Sequence, residues 1–337
     1  MIRTTAAPTC VICGSAGRPK YSALPDRQHA TPGEWTLSEC TNPRCRMLWL
    51  DPMPIAEDIG QAYAEYYTHA SSAPRSALGL VETAKRAYLA IRWGYTFEGS
   101  VAEKLLGVAA YLYPWRRVGL DFSVMWLESS RAGRLLDVGA GSGTLVARMA
   151  ALGWQAEGLD FDPRSVASAR GRGLTMHLGG LDEAGFPESS FDAVTMSHSL
   201  EHVHNPVWWL AAARRILKPG GRLTLATPNT RSLLHRLYGQ HWFALDPPRH
   251  LYLFNRAALA AALHRAGFEA FRIFTVARDA RGQWRASRDI RRTGHHDFLS
   301  AAPLFQRVAG GAIRFCEAAM TLVDRDAGEE LIALAVK

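Results

Sequence analysis

The stretch that most constrains the fold is RLLDVGAGSGT at residues 134–144, where three glycines directly follow a short apolar run. The apolar run predicts a buried strand, the glycines a tight turn, and the residues after them a helix. A second apolar run ends in Asp160, 21 positions after Gly139. This order is the first half of a nucleotide-binding βαβ unit. The sequence therefore predicts an α/β fold with an adenosine-type ligand, unless the glycines serve only an ordinary strand-to-helix turn.

The spacing of the glycines narrows the cofactor. Dinucleotide sites require G-x-G-x-x-G, whereas here the glycines are 139, 141 and 143, and position 144 is Thr. A P-loop is excluded as well, because no Lys follows the loop. The loop resembles motif I of the class I S-adenosylmethionine-dependent methyltransferases, in which glycines allow close approach to the methionine part of the cofactor.

Later landmarks strengthen this resemblance. FDAV at 191–194, LKPGG at 217–221 and AGF at 266–268 are similar to signatures of the small-molecule branch of the family, and the similarity covers residues 131 to about 278. The segment Glu330–Val336 looks like its closing antiparallel strand. The resemblance implies a Rossmann-like seven-stranded methyltransferase sheet with helices on both faces.

The resemblance also implies the cofactor site for S-adenosylmethionine. Asp160 would accept hydrogen bonds from the ribose hydroxyls, and Leu181 and Asp182 would meet the adenine. The full set of predicted cofactor-binding residues is Asp137, Gly139, Ala140, Gly141, Ser142, Gly143, Asp160, Phe161, Leu181, Asp182 and Ser197.

Two cysteine pairs near the N-terminus form an independent signal. Cys10 and Cys13 form one pair, Cys40 and Cys45 form the other, and 26 residues separate the two pairs. Paired loops of this kind present four thiolates to one tetrahedral zinc ion, and four cysteines leave no open coordination position, so we expect a structural zinc. The second pair is wider than C-x-x-C by two residues. Two disulfides or unrelated thiols are the alternatives, and disulfides are disfavoured because no secretory signal is evident.

A zinc-ribbon-like module before such a domain resembles two kinds of methyltransferase. One comprises bacterial sugar and small-molecule methyltransferases, in which the module helps to wall the substrate cleft. The other comprises ribosomal-RNA methyltransferases, in which it grips RNA. From residue 1 to 54 there are six Lys or Arg against four Asp or Glu, a near balance that weakens the RNA interpretation without excluding it.

Residues 55–130 predict helices rich in aromatic residues. Tyr63, Tyr66 and Tyr67 are spaced to share one helical face, which is typical of core packing. The alternative is a lid over the cofactor, to which Tyr67 and His69 would contribute substrate contacts. We therefore expect a zinc module at 1–54, a helical linker or lid at 55–130, and a methyltransferase domain at 131–337 with an insertion at about 279–326.

Catalytic candidates follow from position, because ligands in open α/β sheets bind beyond the carboxyl ends of the strands. His250 matches the second histidine of an H-E-H segment in sugar C-methyltransferases, where it looks like the general base, although Pro248 and Arg249 replace the first two positions. A structural role for His250 is the alternative. His198 is the second candidate base, and Asn229 and Arg249 are candidate substrate contacts. Arg249 would pair with a phosphate or carboxylate, or form an ordinary surface salt bridge.

The charge of the chain does not identify the molecule that would accept the methyl group. The net charge is +8, and seven arginines against two aspartates fall between residues 272 and 292, which indicates a solvated insertion or a site for an acidic substrate. No apolar run is long enough for a membrane span, so we expect the cytoplasm. The prediction is methyl transfer to a small molecule, plausibly a sugar nucleotide. The alternatives are an RNA methyltransferase and a non-catalytic cofactor-binding protein.

Overall fold

The computed structural model describes residues 2–63, 79–112, 114–297 and 303–337. The chain divides into two compact units. The first unit comprises residues 1–66, 198–211 and 226–333, and the second comprises 67–197, 212–225 and 334–337. The segments 1–54, 55–130 and 131–337 expected from the sequence stay a prediction.

A seven-stranded sheet forms the main layer, in the order β12-β13-β10-β9-β6-β7-β8. Strands β6, β7, β8 and β9 pair in parallel. Strand β13 is antiparallel to β10, because Gly220 pairs with Lys337 at one end and Asn229 with Glu329 at the other. The Rossmann-like fold class predicted from the sequence is thus confirmed. The strands are β6 Arg134–Val138, β7 Gln155–Asp160, β8 Thr175–Leu178, β9 Phe191–Ser197, β10 Leu217–Pro228, β12 Ala270–Val276 and β13 Glu330–Val336.

Ten α-helices lie in the described part of the chain, and local sequence explains their ends. Helix α5 begins where Asp162 accepts hydrogen bonds from the backbone N–H groups of Arg164 and Ser165, with Pro163 at its first position. The helices are α1 Gly79–Trp93, α2 Val101–Leu112, α3 Pro114–Phe122, α4 Thr144–Ala151, α5 Pro163–Arg170, α6 Pro206–Ile216, α7 Leu233–Tyr238, α8 Arg256–Arg265, α9 Ala280–Thr293 and α10 Leu304–Val323.

The first unit carries a second sheet of four antiparallel strands, in the order β11-β4-β3-β2. Three of its strands come from the N-terminal segment, but the edge strand β11 comes from residues 252–253. The strands are β2 Gly17–Leu24, β3 Trp35–Cys40, β4 Leu48–Leu50 and β11 Tyr252–Leu253, and a separate pair joins β1 Thr4–Thr5 to β5 Met53–Pro54. The predicted N-terminal module is therefore completed by a strand from far along the chain.

Of two segments that the sequence singles out, one lies inside a strand and the other lies outside the described residues. The LKPGG segment lies inside β10, which begins at Leu217, and Gly220 within it has a φ of +75°. Tyr67 and His69 lie outside the described residues, so their predicted lid role stays a prediction. Within the ranges given above, no helix combines the length and the apolar character needed to cross a membrane.

Candidate functional site

The glycine loop in the second unit joins β6 to α4 through three left-handed residues. Gly139, Gly141 and Gly143 have φ values of +76°, +51° and +73°. Side chains rarely adopt this region, and a Cβ on Gly143 would lie 2.8 Å from Leu174 Cδ1. The backbone path of the loop therefore requires glycine.

Asp160, at the end of β7, holds this loop. Its carboxylate accepts hydrogen bonds from the N–H of Gly141 at 2.7 Å and the N–H of Asp162 at 2.9 Å. Burial raises the pKa of Asp160, opposed by these N–H donors. Each carboxylate oxygen has a second lone pair, so the group can still accept from a ribose hydroxyl.

A second carboxylate, Asp137, lies buried at the end of β6. The hydroxyl of Thr195 donates to it at 2.8 Å. Burial, together with the charge of Asp160, raises the pKa of Asp137 to about 7. A pair of buried acids favours a positively charged ligand nearby, because a cation relieves their repulsion. Acidic groups beside a glycine loop fit S-adenosylmethionine, whose sulfonium is cationic.

The remaining predicted cofactor residues occupy the expected chain positions. Phe161 follows Asp160 and is largely exposed, while Leu181 is buried and Asp182 exposed. Ser197 is the last residue of β9, and the Ser142 hydroxyl lies 3.1 Å from that of Thr144. Their role in binding stays a prediction.

In the first unit the four N-terminal cysteines converge. The Sγ atoms of Cys10 and Cys45 lie 3.7 Å apart, and those of Cys13 and Cys40 lie 3.4 Å apart. All four sulfurs lie within 4.8 Å of one another, and all four cysteines are free. Tetrahedral zinc with bonds of about 2.3 Å needs sulfurs roughly 3.8 Å apart, so the donor set fits the ion.

Helix α8 and the residue before it support the cysteine loops from outside. The side-chain amide of Asn255 donates to the carbonyl of Cys45 at 2.7 Å. Arg265 donates to the carbonyls of Val11 and Ile12, which lie between the first two cysteines. The cysteine cluster is therefore fixed by residues more than 200 positions away in sequence.

His198, a candidate base, lies between two carboxylates. Its Nδ1 lies 3.2 Å from Glu201 Oε1, and its Nε2 lies 2.8 Å from Glu330 Oε1. Burial favours the neutral ring, but the two carboxylates outweigh it and raise the pKa of His198 to about 10. Both ring nitrogens thus lie within hydrogen-bonding distance of a carboxylate, which favours the protonated ring, and the role of His198 as a base stays a prediction.

Arg249, a candidate substrate contact, lies in a buried ion-pair cluster. Its side chain is 0% exposed, and the guanidinium donates to both Asp26 and Asp246. A further donor reaches the carbonyl of Ala62. Since both carboxylates and a carbonyl already take its donors, Arg249 ties three chain segments together, and its role as a substrate contact stays a prediction.

Asn229 is likewise enclosed within the protein. Its side-chain amide donates to the carbonyls of Asp326 and Gly328, each at 2.7 Å, and its oxygen accepts from the N–H of Arg231. The residue is fully buried and its amide is hydrogen-bonded within the protein, so the expected substrate contact has no support here and stays a prediction.

His250 keeps a free acceptor. Its Nδ1 donates to the carbonyl of Ala244 at 2.8 Å, which places the lone pair of the neutral ring on Nε2. Nε2 lies 4.0 Å from Asp246 Oδ2, close enough for that carboxylate to stabilise a protonated ring. The geometry is therefore compatible with a base, although the role itself stays a prediction.

His202 packs edge-on against His250, with ring centroids 4.8 Å apart. Its Nδ1 lies 3.0 Å from the Arg249 carbonyl and 2.8 Å from the Tyr63 hydroxyl. Burial lowers the pKa of His202 to about 4, so this ring is neutral.

Glu201, His202 and His250 place ligand atoms within 4.8 Å of one another and could hold a divalent ion. Glu201, however, already accepts hydrogen bonds from His198 and from the Thr227 hydroxyl. A metal would compete with these partners, and the arrangement also serves as a purely hydrogen-bonded scaffold.

Sequence reasoning missed Glu330 and Asp26. Glu330 binds His198 and Arg278, and Asp26 binds Arg249. The one available signal was the pair of acidic residues, Glu329 and Glu330, that opens an otherwise apolar strand. Nothing local distinguishes Asp26 from an ordinary turn residue.

Comparison with known proteins gives a consistent family. Residues 113–272 match a family model described as a methyltransferase domain. A ubiquinone biosynthesis O-methyltransferase from Xanthomonas axonopodis pv. citri is 36% identical over 171 residues, which are 47% of this chain and 71% of that protein.

Two other relatives match over shorter stretches. A ubiquinone biosynthesis O-methyltransferase from Xanthomonas oryzae pv. oryzae is 40% identical over 35% of this chain and 52% of its own length. A demethylmenaquinone methyltransferase from Tropheryma whipplei is 37% identical over 33% of this chain and 46% of its own length. The chain thus spans about half the length of these two curated relatives. With the glycine loop and the sheet order in place, these matches show that the chain belongs to the methyltransferase family.

Proposed function

We propose that this protein transfers a methyl group from S-adenosylmethionine to a small-molecule acceptor. The observation that carries the proposal is the left-handed glycine loop locked by the buried carboxylate of Asp160. Family membership supports the same activity. When bound, the cofactor supplies a methyl group made electrophilic by its positively charged sulfur.

The chain's own residues would bind the cofactor, orient the acceptor and remove a proton from it. Asp160 would accept from the ribose hydroxyls, and the glycines 139, 141 and 143 would let the backbone approach the cofactor. His250 Nε2 would take the proton of an acceptor hydroxyl, and Asp246 would stabilise the charged ring. His198 and Glu201 would fix the segment that carries His202, which packs against His250.

Two acceptor classes are worth testing. The first is a sugar nucleotide or a similar biosynthetic intermediate, as the sequence predicts. The second is a phenol on the route to a quinone, favoured by relatives named for ubiquinone and menaquinone biosynthesis. A methyl-transfer screen over both classes, with labelled S-adenosylmethionine, would separate them. Transfer to neither class would leave cofactor binding without turnover as the better account. The cytoplasmic location stays a prediction.

The cofactor is tested first, by calorimetric titration with S-adenosylhomocysteine and with NADH as the control. Binding of S-adenosylhomocysteine alone supports the proposal. Binding of NADH alone would refute it.

The ribose assignment is tested with Asp160→Ala and Asp160→Asn. Because the carboxylate also holds Gly141 in place, both variants should weaken S-adenosylhomocysteine binding, by about tenfold or more. Asp192→Asn, which removes a charge near the other end of the sheet strands, is the matched control. Unchanged affinity in Asp160→Ala would remove Asp160 from the site.

The base assignment is tested with His250→Gln. If His250 is the base, kcat should fall by about 10² to 10⁴ and the pH dependence of kcat should flatten, with KM changed much less. His264→Gln, an exposed histidine of α8, is the control. Full turnover in His250→Gln would exclude the role.

We also propose that Cys10, Cys13, Cys40 and Cys45 bind one structural zinc ion.

The alternative RNA substrate would show a salt-dependent mobility shift with RNA. Loss of that shift at moderate salt, together with methylation of RNA, would replace the small-molecule proposal.

A further inference from the structure

A cavity of about 440 Å³ opens in the first unit, and none of the residues that line it is among those predicted to take part in methyl transfer. It lies between strands β2 to β4 and the segment 230–239. Its size falls in the range of small-molecule sites, which is roughly 300 to 1,000 Å³. The charges around it decide what it could take.

One carboxylate organises the cations on one side of this cavity. Glu39 is buried, and it accepts hydrogen bonds from Lys20 at 2.7 Å, from Arg46 at 3.0 Å and from Arg18 at 2.9 Å. Burial favours the protonated acid, but the cations outweigh it and lower the pKa of Glu39 to about 2. A single negative charge therefore anchors three positive ones.

The opposite wall adds two arginines. Arg231 is exposed at the cavity, and Arg236 pairs with Asp324 at 2.7 Å. Among the residues that line the cavity, the cations are Lys20, Arg46, Arg231 and Arg236 and the carboxylate is Glu39, an excess of three positive charges. Self-repulsion of such a group is relieved by a bound anion.

The floor of the cavity is rigid and uncharged. The Nδ1–H of His235 donates to the Thr230 carbonyl at 2.6 Å, so its Nε2 accepts from the Tyr21 hydroxyl at 3.1 Å. Burial lowers the pKa of His235 to about 4, and the ring stacks on Trp242. Positive charge in the cavity therefore comes from the Lys and Arg side chains, held against a fixed wall.

We propose that this cavity binds the phosphate or diphosphate group of a small molecule, through Lys20, Arg46 and Arg231. Guanidinium groups match the oxygens of phosphate in pairs, and a diphosphate carries enough charge to balance the excess. The cavity is a local recess, whereas nucleic acid would require an extended basic surface. The proposal does not depend on methyl transfer, because binding is measured without cofactor or turnover.

The test is calorimetric titration of the full chain with inorganic pyrophosphate at low salt. Lys20→Gln and Arg231→Gln should each weaken binding about tenfold, since each removes a charge-assisted hydrogen bond. Arg292→Gln removes the same charge from the Arg-rich segment and should change the affinity less than twofold. Arg231 is exposed, so its variant stays informative if Lys20→Gln disturbs the ion pairs of Glu39.

Two results would overturn the proposal: no binding of pyrophosphate by the unchanged protein, or equal weakening by all three variants, which would indicate diffuse attraction. A second titration, with uridine 5′-diphosphate, identifies the source of the phosphate. Much tighter binding than pyrophosphate, lost in Arg231→Gln, assigns the site to a nucleotide-linked molecule. Equal affinity for the two probes, lost in the same variant, assigns it to a free phosphate compound.

Discussion

The two regions that carry the candidate residues are built by opposite means. In the second unit, the cofactor loop depends on backbone conformation and on partners within 21 positions, such as Gly141 and Asp160. In the first unit, the candidate residues are held by side chains from distant segments. Asp26 accepts a hydrogen bond from Arg249, and Glu330 lies within hydrogen-bonding distance of His198. A site built from residues close in sequence can be recognised from the sequence, whereas a site built from distant residues depends on the whole fold.

This contrast predicts that side-chain deletions damage the first unit most. The largest effect should come from Cys45→Ser, which removes one of the four proposed zinc ligands. We expect zinc content to fall and the free energy of unfolding to drop by about 4 kcal/mol or more, measured by metal analysis and urea titration. Cys316→Ser, the exposed fifth cysteine, should change neither. A protein purified without zinc that unfolds normally would show the cluster to be unrelated thiols.

The next effect concerns Arg249→Met, which leaves Asp26 and Asp246 buried without their cation. We expect a loss of about 3 to 5 kcal/mol in urea unfolding, because breaking a buried ion pair strands its partners. Arg236→Met breaks the surface pair with Asp324 and should cost about 1 kcal/mol or less. Similar losses for both variants would mean that burial of the Arg249 cluster is unimportant.

Backbone effects should dominate in the second unit. Gly143→Ala and Gly173→Ala both place a side chain at positive φ, but only the first meets a neighbour, since nothing lies within 4 Å of a Cβ on Gly173. We expect a loss of about 1 kcal/mol for Gly173→Ala and about 2 kcal/mol for Gly143→Ala in the free energy of unfolding. Calorimetry should show weaker S-adenosylhomocysteine binding for Gly143→Ala alone. Weakening by both variants would point to general destabilisation.

The last prediction is a pH dependence in the first unit. The ordinary pKa of histidine is 6.5, and that of His198 is raised to about 10 in the folded state. Its stabilisation is therefore fully present below about pH 6.5 and is lost as the pH rises through about 10, on the order of 1 kcal/mol per pH unit. His198→Asn tolerates the φ of +53° at this position but cannot be charged, so its stability should fall less between pH 7 and pH 9. Parallel curves for the two proteins would show that His198 is not charged.

The sheet and the cofactor loop were predictable because each element can be recognised from about a dozen consecutive residues. Glycines at 139, 141 and 143 and the acid at 160 needed no knowledge of the rest of the chain. Position beyond a strand end also singled out His198, Asn229 and Arg249 as candidates, and their roles stay predictions. It could not show whether their polar groups face a ligand or another segment, since Arg249 and Asp26 are 223 positions apart in sequence.

Strands β4 and β11 pair in the folded protein but are synthesised far apart in time, which affects how the sheet assembles. Leu48 and Trp49 leave the ribosome long before Leu253 and Tyr252, the residues with which they pair. At roughly 5 to 20 residues per second, the intervening 200 or so residues take on the order of 10 to 40 s. During that interval the apolar edge of β4 is unpaired and open to association with other nascent chains. Early zinc capture by the four cysteines would hold the first three strands together until their fourth neighbour is made.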